Sequence, residues 1–590
     1  MTFDTVLIAN RGEIALRVMR ACKELGLKTV AVYSEADRDA LHVRYADDAY
    51  LIGPPPAVQS YLQIDTIINV AKRAGAGAIH PGFGFLAENA GFAQACADNG
   101  IEFVGPPASA MEKMGGKIPA RQIATRANVP LVPGTTEAVE TWQEALTLGH
   151  EYGFPIAIKA SAGGGGRGLK VAYSPEEVEF AFESARREAE AAFKSGVMFV
   201  EKYVINPRHI EIQVLADKYG NVVYLGERDC STQRRHQKLI EESPSPAMTP
   251  ELRAEMGAAA VRLCKEVGYV SAGTLEFLFT GEGHYYFLEM NTRIQVEHTV
   301  TEMLTGVDLV QGQLRVAQGE KLWLTQDDIK LRGHAIECRI NAEDASAGFR
   351  PALGTITKYV EPRGYGVRVD AGVEQGSTIP PYYDSMLSKL ITWGANREEA
   401  RTRMLRALND YVIEGVTTVI PFHKMALAEP AFIAGDVNVG FIPTYLEEKL
   451  KTLAPATPSV SEPAADIPTR QYEVEVNGRK FNVRVAGNDL GAHVAVASSG
   501  KNAAPTRRTA NKKAAVAADP NAVICPIQGT VVAIKTDVGA EVTQGQVLVV
   551  VEAMKMENEI AAPRAGKVAK ISAEIGKSVE PGAVLVALEA

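Results

Sequence analysis

The chain has 590 residues, of which 46% are hydrophobic and 23% charged, and carries a formal net charge of −9. That length exceeds one hydrophobic core and predicts three to five domains. The ordinary composition excludes global disorder, and the acidic balance gives no basis for binding nucleic acid. The six cysteines (Cys22, Cys96, Cys230, Cys264, Cys338, Cys525) form no C-x-x-C pair. They read as reduced, mostly buried thiols of a cytoplasmic protein, not as a disulfide framework or zinc site. The first residues run into an apolar strand and predict no signal peptide, and no apolar run is long enough to span a membrane.

From residue 1 to about 115, apolar strands (Val6–Ala9, Thr29–Tyr33, Ala76–His80, Glu102–Val104) alternate with helical stretches such as Glu13–Leu25. This predicts an α/β region with a parallel sheet. No G-x-G-x-x-G follows the first strand, so a dinucleotide turn is not indicated. The loop Pro81-Gly82-Phe83-Gly84-Phe85-Leu86-Ala87-Glu88-Asn89 reads equally as a plain turn and as a ligand-touching loop with a charged end.

Between about 116 and 333 the chemistry concentrates. The strand Ile156–Lys159 runs into Ala162-Gly163-Gly164-Gly165-Gly166-Arg167-Gly168, followed by the strand Leu169–Ala172. Consecutive glycines let backbone N–H groups close over phosphate oxygens, and Lys159 adds a point charge. The Walker pattern is absent, and the flanking strands favour a flexible cover over a nucleotide above a linker. Phe199–Val204, containing Glu201, Lys202, Tyr203 and Val204, fits a strand leading to an adenine hinge. In His209-Ile210-Glu211-Ile212-Gln213 the polar residues fall on one strand face. Arg228–Lys238 packs four certain cations and His236 into eleven residues, as a solvated turn or an anion site.

The stretch Glu289-Met290-Asn291-Thr292-Arg293-Ile294-Gln295-Val296-Glu297-His298, if extended, projects Glu289, Asn291, Arg293, Gln295 and Glu297 from one face. Such a row is costly to bury without ligands or partners. With Glu276, residues Glu289 and Asn291 form an oxygen-rich set suited to Mg²⁺, with Mn²⁺ as an alternative. Arg293 suits an anionic substrate, and Glu297 suits proton acceptance.

From about 334 to 447, strands such as Gly354–Tyr359 and Gly366–Asp370 precede helices such as Arg397–Asp410. Residues 448–469 form a Pro/Ala/Ser-rich linker. Arg470–Ala486, within 470–496, is a hairpin around Asn477-Gly478 that must pack on something to be stable. Residues 497–520 lack bulky apolar side chains and read as a flexible linker with a reach of roughly 25–30 Å.

The last segment, 521–590, contains one pattern twice, at Val538–Ala553 and Ile575–Ala590. Gly539 matches Gly576, and Gly545 matches Gly582. The pair predicts a two-fold-symmetric β sandwich. Met554-Lys555-Met556 falls where the chain turns back after the first copy, presenting Lys555 at an exposed tip. A biotin or lipoyl carrier needs that geometry, and the flanking methionines favour biotin. The segment resembles the biotinyl domain, which implies that Lys555 carries biotin in amide linkage, attached by a biotin protein ligase.

Residues 1–447 resemble biotin carboxylase, an ATP-grasp enzyme. The resemblance rests on I-A-N-R-G-E-I-A at Ile8, H-P-G-F-G-F-L-A-E-N at His80, K-A-S-A-G-G-G-G-R-G at Lys159, E-R-D-C-S at Glu227, R-R-H-Q-K at Arg234 and E-M-N-T-R-I-Q-V-E-H at Glu289. Phe83 stands where the family usually has tyrosine, and the usual M-G-D-K is M-G-G-K here, with Lys117 kept. The resemblance implies three domains, at 1–115, 116–333 and 334–447. It implies ATP contacts from Lys117, Lys159, Gly165, Gly166, Glu201, Lys202, Tyr203, Val204, His209 and His236, and magnesium ligands Glu276, Glu289 and Asn291. Lys238, Arg293, Gln295 and Val296 would cradle bicarbonate. Glu297 would deprotonate it, and Arg339 would steady the biotin enolate. The implied reaction forms carboxyphosphate from bicarbonate and ATP, then carboxylates a ureido nitrogen of biotin.

No region after 447 is large enough for a carboxyltransferase. The chain therefore reads as the α subunit of a hetero-oligomeric acyl-CoA carboxylase of actinobacterial type. A separate β subunit would act on acetyl- or propionyl-CoA, and the 470–496 hairpin would be a docking element. Rival readings are an α subunit for pyruvate or a methylcrotonyl-type acceptor, and a carrier and assembly module with a dead site. An unrelated ATP-grasp amide ligase leaves Lys555 unexplained.

Overall fold

A computed structural model describes residues 3–161, 168–281, 283–453, 469–476, 479–486, 521–525, 529–553, 556–579 and 582–589. The predicted ATP contacts Gly165 and Gly166 and the predicted biotin attachment residue Lys555 lie outside these residues. The N-terminal strands β1 (Thr5–Ile8), β2 (Lys28–Ser34), β3 (Asp48–Gly53), β4 (Ala78–His80) and β5 (Glu102–Phe103) form a parallel sheet in the order β3-β2-β1-β4-β5. The sequence T-V-L-I of β1 is buried along its length, as a parallel strand covered on both faces requires. Strand order reverses between β1 and β4, so the loops that follow them open a crevice at the sheet's carboxyl edge. Asn10 ties those loops together by donating to the Pro81 and Phe83 carbonyls, each at 2.7 Å. Gly82 has φ 62°, and a Cβ there would stand 2.9 Å from the Asn10 amide, so glycine is required.

Strands β6 (Ile156–Ala160), β7 (Leu169–Ala172) and β8 (Met198–Lys202) make a small antiparallel sheet in the order β7-β6-β8. The larger sheet is built from β9 (Arg208–Ala216), β10 (Val222–Arg234), β11 (Gln237–Ser243), β12 (Ser271–Gly281), β13 (His284–Asn291) and β14 (His334–Asn341). Met386–Gly394 and Val367–Ala371 complete it, in the order β13-β12-β9-β10-β11-β14 and then these two. Pairing of β11 with β14, with Ile240 opposite Cys338, carries one sheet across residue 333. Ile210, Ile212, Val214, Leu275, Phe277 and Phe287 form its apolar face against the helices Lys117–Arg126 and Pro250–Val267. His209, Glu211 and Gln213 are buried as well, and the period of two puts them on the opposite face.

Two sequence expectations need correction. The extended row stops at Asn291, and Thr292–Glu297 is irregular before the helix His298–Thr305. Strand Gly354–Tyr359 is broken into Gly354–Thr355 and Lys358–Val360, which pair with different strands.

Glu343 is buried beside this sheet and accepts from Asn341 (3.1 Å) and Ser385. Burial pushes its carboxyl up from 4.5 to about 7. The folded chain thus holds a proton that the unfolded chain releases, and stability is lost as pH rises from 4.5 through about 7. Glu343→Gln should gain about 2–3 kcal/mol relative to wild type between pH 5 and pH 8. Denaturant melts at the two pH values check it; an unchanged difference contradicts the assignment.

The C-terminal segment has two four-stranded sheets around Val531, Leu548, Val549, Val551, Val568, Leu585 and Val586. The matched glycines of the repeat share a conformation, with φ 89° and 83° at Gly539 and Gly576, and 84° and 85° at Gly545 and Gly582. Strands Val547–Ala553 and Met556–Ala561 pair antiparallel up to Ala553 opposite Met556, bracketing residues 554–555. The separate unit Thr457–Ala522 contains Thr469–Val476 paired antiparallel with Arg479–Ala486, as the hairpin pattern predicts. Among the described residues no helix is long and apolar enough to cross a membrane. All six cysteines are buried free thiols.

Candidate active site

The polar face of the large sheet is organised by Arg228 on β10, whose side chain is fully buried. Its five N–H groups all find acceptors. Nε donates to Glu211, Nη1 to Gln213 (2.6 Å) and Thr301 (3.0 Å), and Nη2 to Gln295 (2.6 Å) and Thr274 (3.1 Å). Full satisfaction is what lets a guanidinium sit in this interior. It also fixes Gln295, although that residue lies outside any strand.

Above it, Lys238 on β11 spends its three donors on carboxylates: Glu211 at 2.5 Å, Glu297 at 2.6 Å and Glu276 at 2.9 Å. The other Glu297 oxygen accepts from Arg339 at 2.9 Å, while Arg339 Nε donates to Glu241 at 2.6 Å. Burial alone would raise the Glu297 carboxyl, but Lys238, Arg339 and Arg228 together hold it well below the ordinary range. Glu297 is therefore ionised at neutral pH, the form that accepts a proton. Burial pushes Glu241 up to about 7 against the pull of Arg339. Arg339, unremarkable in the sequence, is thus clamped between two buried carboxylates.

Glu276 and Glu289 are cross-strand partners on β12 and β13, with Asn291 two residues beyond Glu289. Like charges directly opposite are unfavourable without a cation. Desolvation and then the Glu276 charge raise Glu289. Burial would raise Glu276 too, but Lys238 and His209 hold it low. His209 lies 3.0 Å from Glu276, and Asn291 and Gln295 donate to Glu276 at 2.9 and 2.8 Å. Two carboxylates and an amide oxygen on adjacent strands fit a Mg²⁺ ion bound with nucleotide phosphates.

Arg293 donates to Asn291 (2.9 Å) and to Glu88 (3.0 Å), and Glu88 also accepts from the Thr292 N–H at 3.0 Å. The loop after β4 therefore reaches the site through Glu88. The charged end of that loop was the one signal for it in the sequence. Glu211, Arg228 and Glu241 had no assigned role there either.

On the nucleotide side, Glu201 accepts from Lys159 and, at 2.7 Å, from Arg121. Desolvation and then the Lys159 charge hold Lys117 below its ordinary value. The structure does not bring the Lys202 ammonium into this cluster: it donates to the Gly153 and Phe154 carbonyls at 2.7 and 3.1 Å. Tyr203, half-buried, meets Tyr173 edge to face at 6.4 Å, and Val204 follows it half-buried. The residues of the cationic cluster part company in the structure. Arg228 is buried, whereas Arg235 (φ 47°) and His236 (φ 66°) form the exposed β10–β11 turn. Left-handed non-glycine residues at a hairpin tip cost about 1–3 kcal/mol each and gather at functional sites.

Four family descriptions match the sequence: Biotin carboxylase, N-terminal domain over 2–111; Carbamoyl-phosphate synthase L chain, ATP binding domain over 116–325; Biotin carboxylase C-terminal domain over 337–444; and Biotin-requiring enzyme over 521–588. A pyruvate carboxylase subunit of Methanothermobacter thermautotrophicus is 56% identical over 443 residues, 75% of this chain and 90% of that protein. The biotin-dependent acyl-coenzyme A carboxylase alpha3 subunit of Mycobacterium leprae is 47% identical over 563 residues, 94% of this chain and 93% of its own. Among solved structures, the biotin carboxylase domain dimer of Hydrogenobacter thermophilus 2-oxoglutarate carboxylase, in complex with MgADP, ADP and bicarbonate, is 49% identical with a TM-score of 0.74. It covers 77% of this chain and 100% of that one. Fold and site together define an ATP-grasp ligase fused to a small all-β biotinyl sandwich. The chain belongs to the biotin carboxylase family. It carries out ATP-dependent carboxylation of biotin by bicarbonate, with biotin, ATP and Mg²⁺ as its cofactors.

Proposed function

We propose that this chain is the α subunit of an acyl-CoA carboxylase of actinobacterial type, acting with a separate carboxyltransferase β subunit in a cytoplasmic hetero-oligomer. The observation that carries the reading is the extent of the match to the Mycobacterium leprae acyl-coenzyme A carboxylase subunit. It spans 94% of this chain, past the catalytic region and through both linkers, whereas the match to the Methanothermobacter pyruvate carboxylase protein spans 75%. In this reading acetyl- or propionyl-CoA receives the carboxyl group, a biotin protein ligase loads Lys555, and the hairpin Thr469–Ala486 helps dock the β subunit. The higher identity to the pyruvate carboxylase protein, 56%, favours a second reading with pyruvate as acceptor.

Within the site, Lys238, Arg293, Gln295 and the Val296 N–H hold bicarbonate, and Glu297 takes its proton. Lys238 and Arg339 depress Glu297 as long as they lie on it; a bound anion that recruits them leaves a stronger base. Lys117, Lys159, Gly165, Gly166, Glu201, Tyr203, Val204, His209 and His236 surround the nucleotide, Lys202 contributing through its backbone. Glu276, Glu289 and Asn291 would hold Mg²⁺, which would supply charge neutralisation on the phosphates. Bound biotin would supply the ureido nitrogen that accepts the carboxyl group, and Arg339 would steady the biotin enolate.

Labelled bicarbonate decides the acceptor. The biotinylated chain, combined with its carboxyltransferase partner and ATP, should transfer label to acetyl- or propionyl-CoA. Label that appears only in pyruvate or in a methylcrotonyl-type thioester contradicts the assignment.

A further inference from the structure

The irregular segment after β13 has no sheet partner, yet three consecutive carbonyls in it are each held by a side chain. Arg293 donates to the Ile294 carbonyl (3.2 Å), His298 Nδ1 lies 2.8 Å from the Gln295 carbonyl, and Lys389 donates to the Val296 carbonyl at 2.8 Å. Arg293 belongs to the segment itself, and His298 opens the helix that follows it. Lys389 belongs to neither: it comes from the middle of the strand Met386–Gly394, about ninety residues downstream.

Lys389 is fully buried. It stands opposite Arg339 on one neighbouring strand and Asp370 on the other. Its nearest carboxylate is Glu13, on the helix Gly12–Glu24, at 3.4 Å. Neither Glu13 oxygen has a hydrogen bond, and the residue is buried too. A buried ammonium is costly unless paired, and here its short contact is to a neutral carbonyl, not to its countercharge. That geometry places the donor for the benefit of the peptide group. The peptide it holds joins Val296 to Glu297, so it sets the direction in which the Glu297 side chain leaves the backbone. His298 fixes the preceding peptide, whose other end is the Val296 N–H.

We propose that Lys389 is a positioning residue for the proton-transfer step, anchoring the Val296–Glu297 peptide so that the Glu297 carboxylate is aimed at bicarbonate. The inference rests on the reading of Glu297 as the base. Misaiming a reacting group by about 1 Å costs on the order of a hundredfold, and an aligned donor behind the backbone is how such precision is held.

The test is the charge-balanced double variant Glu13→Gln/Lys389→Met in the full biotinylated chain, which removes the ammonium together with the carboxylate nearest to it. Expected are a melting temperature close to wild type, a KM for ATP within about twofold, and bicarbonate-dependent ADP release lowered about tenfold to a hundredfold. The loss should shrink as pH is raised from 7 to 9, because more bicarbonate is then deprotonated without help. A merely structural role would restore activity together with stability. Lys389→Arg, which keeps the charge but displaces the donor, should show the same kcat loss and the same recovery with pH. Activity within about twofold of wild type in both variants overturns the inference, as does a loss carried by the KM for ATP or one indifferent to pH. If Glu297→Gln alone leaves ADP release intact, the reading of the base falls and this inference with it.

Discussion

Glu297→Gln should lower bicarbonate-dependent ADP release by about two to four orders of magnitude, the range general-base removal commonly costs, while leaving the fold in place. Glutamine keeps the shape, and its one carbonyl oxygen can accept from either Lys238 or Arg339, which donate to separate Glu297 oxygens at 2.6 and 2.9 Å. What it loses is the negative charge and the capacity to take a proton. The same change removes the carboxylate that Lys238, Arg339 and Arg228 hold well below its ordinary value. A depressed folded value contributes stability above the unfolded value of 4.5, and that contribution is lost as pH falls through the folded value. The variant should therefore lie furthest below wild type in stability near neutral pH and converge with it in acid. Single-turnover ADP release, and melts from pH 7 down to the most acid pH at which the chain still folds, check both halves. Activity within about tenfold of wild type contradicts the role.

Arg228→Met should destabilise the chain by about 3–5 kcal/mol, the usual result of leaving a buried charge without its partner. The stranded group is Glu211, itself fully buried and left facing Lys238 alone. Gln295 would lose its 2.6 Å donor in the same change, so bicarbonate-dependent turnover should fall further than the folded fraction does. Lysine is no conservative replacement, because one ammonium cannot reach the five acceptors that the planar guanidinium serves. Chemical denaturation gives the stability, and a loss below about 1 kcal/mol would show that the network is less coupled than its geometry requires.

Much of this site was legible because strand periodicity is local. The alternation at His209, Glu211 and Gln213 named a polar face, and the structure buries all three. The cross-strand set Glu276, Glu289 and Asn291 follows from two neighbouring strands read in the same way. The repeat glycines were legible for a similar reason, since a turn demands left-handed backbone in both copies. Long-range pairing was not legible. Nothing in the sequence around Arg339 explains it until β14 is laid beside β11, which brings Glu241 to it. Glu88 and Lys389 reach the site from segments about two hundred residues upstream and ninety downstream of Arg293 and Val296, where no sequence window can see them. The irregular run Thr292–Glu297 escaped the extended-chain reading because its backbone is set by side chains from elsewhere instead of by a ladder.

The most direct test of the central claim is ADP release by the purified chain with bicarbonate and free biotin, beside the intact mass of the chain. Free biotin should stimulate ADP release, which Glu297→Gln abolishes and Lys555→Ala spares, with one biotin on wild type and none on Lys555→Ala. A biotinylated chain that never cleaves ATP would contradict that claim, and would leave a carrier without a carboxylase.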